Sequence, residues 1–155
     1  LVSLGADIKA DDDYAIKIAS RNGHLNVVKY LVSLGADIRA NYDEAVIQAS
    51  KDGHLKVVKY LVSLGANVRA CNNFAVRYAS RYGHLGVVKY LVSEGADIRA
   101  DDDYAVKYAS ENGQIDVIKY LVTHGADTED ELPIRWASTF GNDDVVDYWW
   151  SKKKS

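Results

Sequence analysis

The sequence predicts an all-α solenoid of helix-turn-helix units with short connecting turns, and three regularities predict it. The segment LVSLGADI begins at Leu1 and Leu31, LVSLGANV at Leu61, LVSEGADI at Leu91 and a decayed LVTHGADT at Leu121, so the spacing is 30 residues each time. An Ala-Ser pair recurs at Ala19, Ala49, Ala79 and Ala109, and at Ala137 in a last unit that is two residues short. A glycine follows four residues after each alanine, at Gly23, Gly53, Gly83, Gly113 and Gly141. A fixed period of this length means one supersecondary unit, repeated and stacked.

Each unit begins with a polar turn and a first helix. In Asp13-Tyr14-Ala15-Ile16-Lys17-Ile18-Ala19-Ser20 the apolar residues fall at helical spacing behind a carboxylate suited to N-capping. After Gly23, the run His24-Leu25-Asn26-Val27-Val28-Lys29-Tyr30-Leu31-Val32 puts Leu25, Val28, Leu31 and Val32 on one face of a second helix, which Gly35 stops. Ala36-Asp37-Ile38-Arg39-Ala40 then reads as an extended turn into the next pair. Neither short helix can bury its apolar stripe alone, so copies must stack, and the small Ala19 and Ser20 are what close helix packing demands. The expected divisions are the end of a truncated repeat at 1–10, repeats at 11–40, 41–70, 71–100 and 101–130, a capping repeat at 131–150 and a basic tail at 151–155. The chain has no Met and opens on a segment that is a helix tail elsewhere, which motivates the first of these.

The composition narrows the function. Lys and Arg total 19 against 22 Asp and Glu, and the net charge of −3 gives no general attraction to phosphate backbones or anionic membranes. Neither nucleic acid nor a membrane is therefore expected as a partner. The single Cys71 cannot form an internal disulfide, and there is no secretory signal or bilayer-length apolar run. An intracellular, cytoplasmic location fits these features.

At GHLxVVKYLVxxGADI the chain resembles an ankyrin repeat, whose usual unit carries T-P-L-H-x-A-A on its first helix and GHLEVVKLLLxxGADVN on its second. The match is close at His54-Leu55-Lys56-Val57-Val58-Lys59-Tyr60-Leu61-Val62 and Gly65-Ala66-Asn67-Val68. The first helix departs from the pattern: Tyr14-Ala15-Ile16-Lys17, Glu44-Ala45-Val46-Ile47, Phe74-Ala75-Val76-Arg77 and Tyr104-Ala105-Val106-Lys107 replace Thr-Pro-Leu-His, and only Pro133 keeps the family's proline. The unit is also shorter than the family's typical length of about 33 residues, and the loss falls in the hairpin loop, between Ala40 and Glu44 and at the equivalent sites. Units of this kind, with LVSLGADIRA and DDDYAVKYAS, are similar to ankyrin-repeat proteins of giant DNA viruses of amoebae. A consensus-designed array is the rival source, against which Asn41-Tyr42, Ile47-Gln48 and the decayed last unit look like natural drift.

The resemblance implies a protein-binding scaffold without catalysis or cofactor, its partner a host protein if the source is viral. Positions that vary between units are the candidate contacts, because repetition is explained by stacking alone. On the turns these are Asp11, Asp12, Asn41, Tyr42, Asp43, Asn72, Asn73, Asp101 and Asp102, and at the end of the first helices Arg21, Lys51, Asp52, Arg81, Tyr82, Glu111, Asn112 and Phe140. Tyr78 and Tyr108 add aromatics one turn earlier, of a type enriched at binding hot spots, while Trp136 beside them reads equally as packing. By resemblance these positions line the concave groove of an ankyrin array. A structural or self-associating module that buries its open N-terminal face on another copy is the alternative.

Other recurrent residues read as structural. His24, His54 and His84 occupy one position in successive units, but stacked helices stand about 8–10 Å apart, too far for one zinc with ligands near 2 Å. Gln114 and Asn142 take that position later, which suits a hydrogen bond. No metal is expected, since Asp11–Asp13 and Asp101–Asp103 lack the alternating ligands and terminal glutamate of a calcium loop. Lys29, Lys59, Lys89 and Lys119 form a ladder that reads as a solvated outer face, and Tyr30, Tyr60, Tyr90, Tyr120 and Tyr148 are expected half-buried beside it. In the last unit, Asp143, Asp144 and Asp147 give a capping repeat its polar face, and Trp149 and Trp150 are expected to close the core, followed by a frayed Ser151–Ser155.

Overall fold

A computed structural model describes the backbone of residues 10–154 and the side chains of residues 14–154. The described residues form ten helices in five antiparallel pairs: α1 (Ala10–Arg21) with α2 (Leu25–Ser33), α3 (Ala40–Lys51) with α4 (Leu55–Ser63), α5 (Ala70–Arg81) with α6 (Leu85–Ser93), α7 (Ala100–Glu111) with α8 (Ile115–Thr123), and α9 (Leu132–Thr139) with α10 (Asp143–Lys153). No strand occurs among them. The pairs stack in chain order, and the main contact at each joint is between the first helices of neighbouring pairs.

Small residues make that contact possible. Ala49, Ala79, Ala109 and Ala137 and the serines Ser20, Ser50, Ser80 and Ser110 are fully buried where the first helices meet. Ser50, Ser80 and Ser110 return their hydroxyls to the carbonyls of Val46, Val76 and Val106, so the polar group is satisfied within its own helix. The second helices contribute Val28, Val58, Val88 and Ile118 with Leu61, Leu91 and Leu121 to one continuous core. Each second helix but the last ends in a glycine-based stop: Gly35 has φ +89°, its N–H bonds the Val32 carbonyl at 2.9 Å, and the Ala36 N–H bonds Leu31 at 3.1 Å.

The turn between pairs departs from the expected helix start. Asn41-Tyr42-Asp43, Cys71-Asn72-Asn73 and Asp101-Asp102-Asp103 each run through three consecutive left-handed residues, with φ between 49° and 63°. One left-handed turn thus stands where a longer unit would have a hairpin loop. Its third residue does not cap its own helix, as the sequence suggested. The Asn67 N–H donates to Asp43 Oδ1 at 2.7 Å, the Asp97 N–H to Asn73 Oδ1 at 2.8 Å and the Asp127 N–H to Asp103 Oδ1 at 3.1 Å, so each such side chain ties its turn to the next.

Two further expectations are corrected at the C-terminal end. Trp149 is fully buried and its indole N–H donates to Ser110 Oγ at 3.1 Å, but Trp150, one residue on and about 100° around the helix, is 51% exposed. The helix also continues through Lys153 instead of fraying at Ser151, and Lys153 lies 3.8 Å from Glu131. At the other end Tyr30 is exposed, unlike the half-buried Tyr60, Tyr90, Tyr120 and Tyr148.

Candidate partner-binding face

The left-handed turns sort their side chains by position. The first two residues project into solvent and the third turns inward. Asn41, Tyr42, Cys71, Asn72, Asp101 and Asp102 are exposed, with Tyr42 at 77%, whereas Asp43 and Asn73 are buried. Asp43 and Asn73, expected among the contact residues, are therefore held inside the stack by the bonds described above. The side chains of Asp11 and Asp12 lie outside the described residues.

Along the first helices, the variable residues form a continuous face of aromatic rings with cations between them. Phe74 and Tyr78 stack at 5.4 Å between ring centroids, Tyr104 and Tyr108 at 5.1 Å, and Trp136 packs at 5.9 Å from Tyr104 and 6.1 Å from Tyr108. The Arg81 guanidinium stands 5.1 Å from the Tyr108 ring and 3.2 Å from Glu111, and Lys51 approaches the Tyr78 and Tyr82 rings at 5.9 and 5.8 Å. Arg21 pairs with Asp52 at 3.8 Å, and Asn112 folds back on the Tyr108 carbonyl at 2.9 Å. Phe140 is exposed at the far end. A groove of 190 Å³ lined by Tyr14, Lys17, Ile18, Arg21, Glu44 and Gln48 continues this face over α1 and α3.

Two buried cations support the face, and sequence reasoning had not singled them out. Arg77, 6% exposed, lies between the Phe74 and Tyr104 rings at 4.8 and 5.1 Å and reaches Asp101 on the next turn at 2.7 Å. Lys107 is buried and bonds Asp102 at 2.8 Å and Asp130 at 2.9 Å. Burial alone would push its ammonium down, but hydrogen bonds to the two carboxylates and their charge outweigh that, and its pKa is raised. For Asp130, burial acts upward, while the bonds from Lys107 and the Leu132 N–H act more strongly downward, leaving its carboxyl below the ordinary range. The available signal was Lys17, Arg77 and Lys107 at a helix position whose neighbours are apolar: a cation there must reach a carboxylate to be buried.

The match to known proteins decides the family. The model of ankyrin repeats in three-copy form matches residues 16–102 and again 76–152, which together span most of the chain. The chain belongs to the ankyrin-repeat family. An Acanthamoeba polyphaga mimivirus protein named as an ankyrin repeat protein is 57% identical over 28 residues, 18% of this chain and 11% of that protein. The chain thus spans about a tenth of that relative's length. Ankyrin repeats make this chain a protein–protein interaction module.

The recurrent polar residues of these ankyrin repeats serve the joints. His54 Nε2 lies 2.8 Å from the Arg21 carbonyl and His84 Nε2 2.9 Å from that of Lys51, while Asn142 donates to the Ser110 and Glu111 carbonyls at 3.1 and 2.8 Å. Among the described residues no three His, Cys, Asp or Glu side chains gather at metal-binding distance. The lysine ladder is also part of the stack: Lys29 lies 5.6 Å from the Tyr60 ring, Lys59 5.4 Å from Tyr90 and Lys89 5.8 Å from Tyr120, each one repeat further on. Burial raises the phenol pKa of Tyr90, Tyr120 and Tyr148, and at Tyr90 the Glu94 carboxylate adds to it. No described helix is long and apolar enough to cross a membrane.

Proposed function

We propose that the face built by the first helices and their turn tips is the concave recognition surface of this array and binds another protein without catalysing a reaction. The observation that carries this reading is Tyr42. A large aromatic with φ +59° is strained by about 1–2 kcal/mol relative to a right-handed conformation, and 77% of its surface stands in solvent. The left-handed turn itself recurs at Asn72 and Asp102 and serves the joint between repeats, but a large exposed aromatic on it serves no packing purpose, and strained residues cluster at sites of recognition. Tyr82 and Phe140 are also exposed, and Arg81 stands beside Tyr82. Asn41, Asn72, Asp101 and Asp102 add polar contacts on the turn rim, while Lys51, Tyr78, Tyr108 and Glu111 form the floor.

The mimivirus relative supports a viral source, with a host protein as partner inside the infected cell. Affinity capture from amoebal lysate on the purified chain, compared with a Tyr42→Ala, Arg81→Ala, Tyr82→Ala variant, tests the reading. A specific protein retained by the first and lost by the second is the expected result. If both retain the same proteins, the surface proposed here is wrong.

A further inference from the structure

Arg77 has more hydrogen-bonding capacity than its own chain satisfies. It is 6% exposed, and every nitrogen of a guanidinium is a donor. Nη2 pairs with Asp101 at 2.7 Å and Nη1 donates to the Asn72 carbonyl at 3.4 Å, but the buried Nε has no acceptor among the described residues. Lys107, the buried cation at the same position of the next repeat, is held by two carboxylates, Asp102 and Asp130. Where Lys107 has Asp102, Arg77 has Asn72, which gives it only a backbone carbonyl. Arg77 therefore has one carboxylate where its counterpart has two. A buried donor without an acceptor is destabilising, and native structures keep few of them.

Arg77 also lines a pocket of 50 Å³ together with Phe74, Tyr78 and Tyr108. The three rings are half-buried, and the guanidinium stands 4.8 Å from the Phe74 centroid and 5.8 Å from that of Tyr108. A water takes at least about 10–15 Å³ of cavity and benzene about 150 Å³. The pocket thus has room for a carboxyl group and none for a ring. Positive charge borders it: Arg81 lies 5.1 Å from the Tyr108 ring and Lys51 5.9 Å from the Tyr78 ring. Arg77 is matched by Asp101 and Arg81 by Glu111, while Lys51 meets only the Tyr78 and Tyr82 rings and forms no ion pair among the described residues.

We propose that this pocket takes the side-chain carboxylate of an aspartate or glutamate presented by the bound protein. One oxygen accepts the Nε–H of Arg77, which gains the second carboxylate that Lys107 already has, and the other oxygen faces the Lys51 ammonium. Nε is covered in the unbound chain, so the Phe74 and Tyr78 rings shift outward on entry, a rotamer change of the kind common at interfaces. Once seated, the ion pair is shielded from water by the rings, which strengthens it. A neutral amide offers the same acceptor but leaves the charge of Lys51 unmatched. The inference rests on the partner-binding reading and adds a demand on the partner, an acidic residue within its contact surface.

A random peptide library displayed on phage and selected on the full 155-residue chain tests this. Peptides that lose binding to the Tyr42→Ala, Arg81→Ala, Tyr82→Ala variant mark the face. They should share an Asp or Glu whose replacement by Asn or Gln weakens binding at least about tenfold. The Arg77 Nε–H resonance should shift on titration with the acidic peptide and stay in place with its amide counterpart. In Lys51→Gln, with circular dichroism checking the fold, the preference for acid over amide should shrink at least about threefold. Face-dependent peptides that need no acid overturn the pocket and leave the face standing, as does a required acid that leaves the Arg77 resonance unmoved. Peptides that bind the triple variant equally well, or a selection that returns none, overturn the face and the pocket together.

Discussion

The imidazole of His84 occupies the space where a side chain on Gly53 would stand, and its Nε2 lies 2.9 Å from the Lys51 carbonyl. This one contact makes two demands on Gly53. Its φ is +78°, and a Cβ there would come within 2.6 Å of the His84 ring. Gly65 shares only the first demand, with φ +97° and nothing within 4 Å. Gly65→Ala should cost roughly 1–2 kcal/mol of backbone strain. Gly53→Ala should cost roughly 2–4 kcal/mol, because the ring is displaced and a carbonyl loses its partner as well. Urea denaturation of both variants measures the difference, and equal costs would rule out the seat.

The same joint accepts different side chains, which predicts how His84 tolerates change. Asn142 performs the task against Gly113 by donating its amide to two carbonyls. His84→Asn should therefore retain most of the stability, whereas His84→Ala should lose roughly 1–3 kcal/mol with the Lys51 carbonyl left unpaired. Added zinc should change neither melting curve. A zinc-dependent rise in Tm for the parent chain, abolished in His84→Asn, would show that the histidines coordinate metal after all.

Lys107 predicts an acid sensitivity at the C-terminal end of the stack. Its ammonium is buried and bonds Asp130, whose pKa is lowered in the folded chain from 3.8. A carboxylate with a depressed folded pKa stabilises the fold fully above its unfolded value and progressively less as pH falls through the folded one. The contribution should therefore be intact above about pH 4 and fade below it. Asp130→Asn should cost roughly 1–3 kcal/mol at neutral pH and flatten that acid limb. Asp102 bonds the same ammonium but its side chain is 87% exposed, so Asp102→Asn should cost under about 1 kcal/mol. Melting curves of both variants from pH 7 to about pH 3 decide it, and a larger loss in Asp102→Asn would contradict the assignment.

The fold was legible because a repeat states its pattern several times. Ala19, Ser20, Gly23 and Leu31 recur at one spacing, and backbone geometry admits few side chains in those places. The recurrent histidine could be read as a hydrogen-bonding group from its exchange for Asn142, before its carbonyl partner was visible. The turn was less legible. Asp43 and Asp103 have the composition of helix caps, but three consecutive left-handed residues aim the third side chain at the next repeat, and composition alone does not reveal that sign of φ. Trp150 was misplaced for a related reason: adjacent helix residues point about 100° apart, so only one of two tryptophans can enter the core. Arg77 and Lys107 passed unnoticed because their carboxylate partners, Asp101 and Asp130, lie on the turn of the following repeat.

Tyr42 couples these lessons to function, because its conformation opposes its chemistry. Asparagine tolerates the left-handed region better than tyrosine does, and Asn41, Asn72 and Asn73 already occupy it in this chain. Tyr42 is 77% exposed, so Tyr42→Asn removes little packing. The variant should be more stable by roughly 0.5–1 kcal/mol, a rise in Tm of about 1–4 °C for a chain of this size. A residue retained against its own stability should matter elsewhere, and the same variant should bind the captured partner at least about tenfold more weakly, the loss typical of a truncated hot spot. Calorimetry for stability and titration for affinity test the two halves separately. An unchanged or lower Tm would mean that the turn holds tyrosine without strain, and higher stability with unchanged affinity would remove Tyr42 from the binding surface.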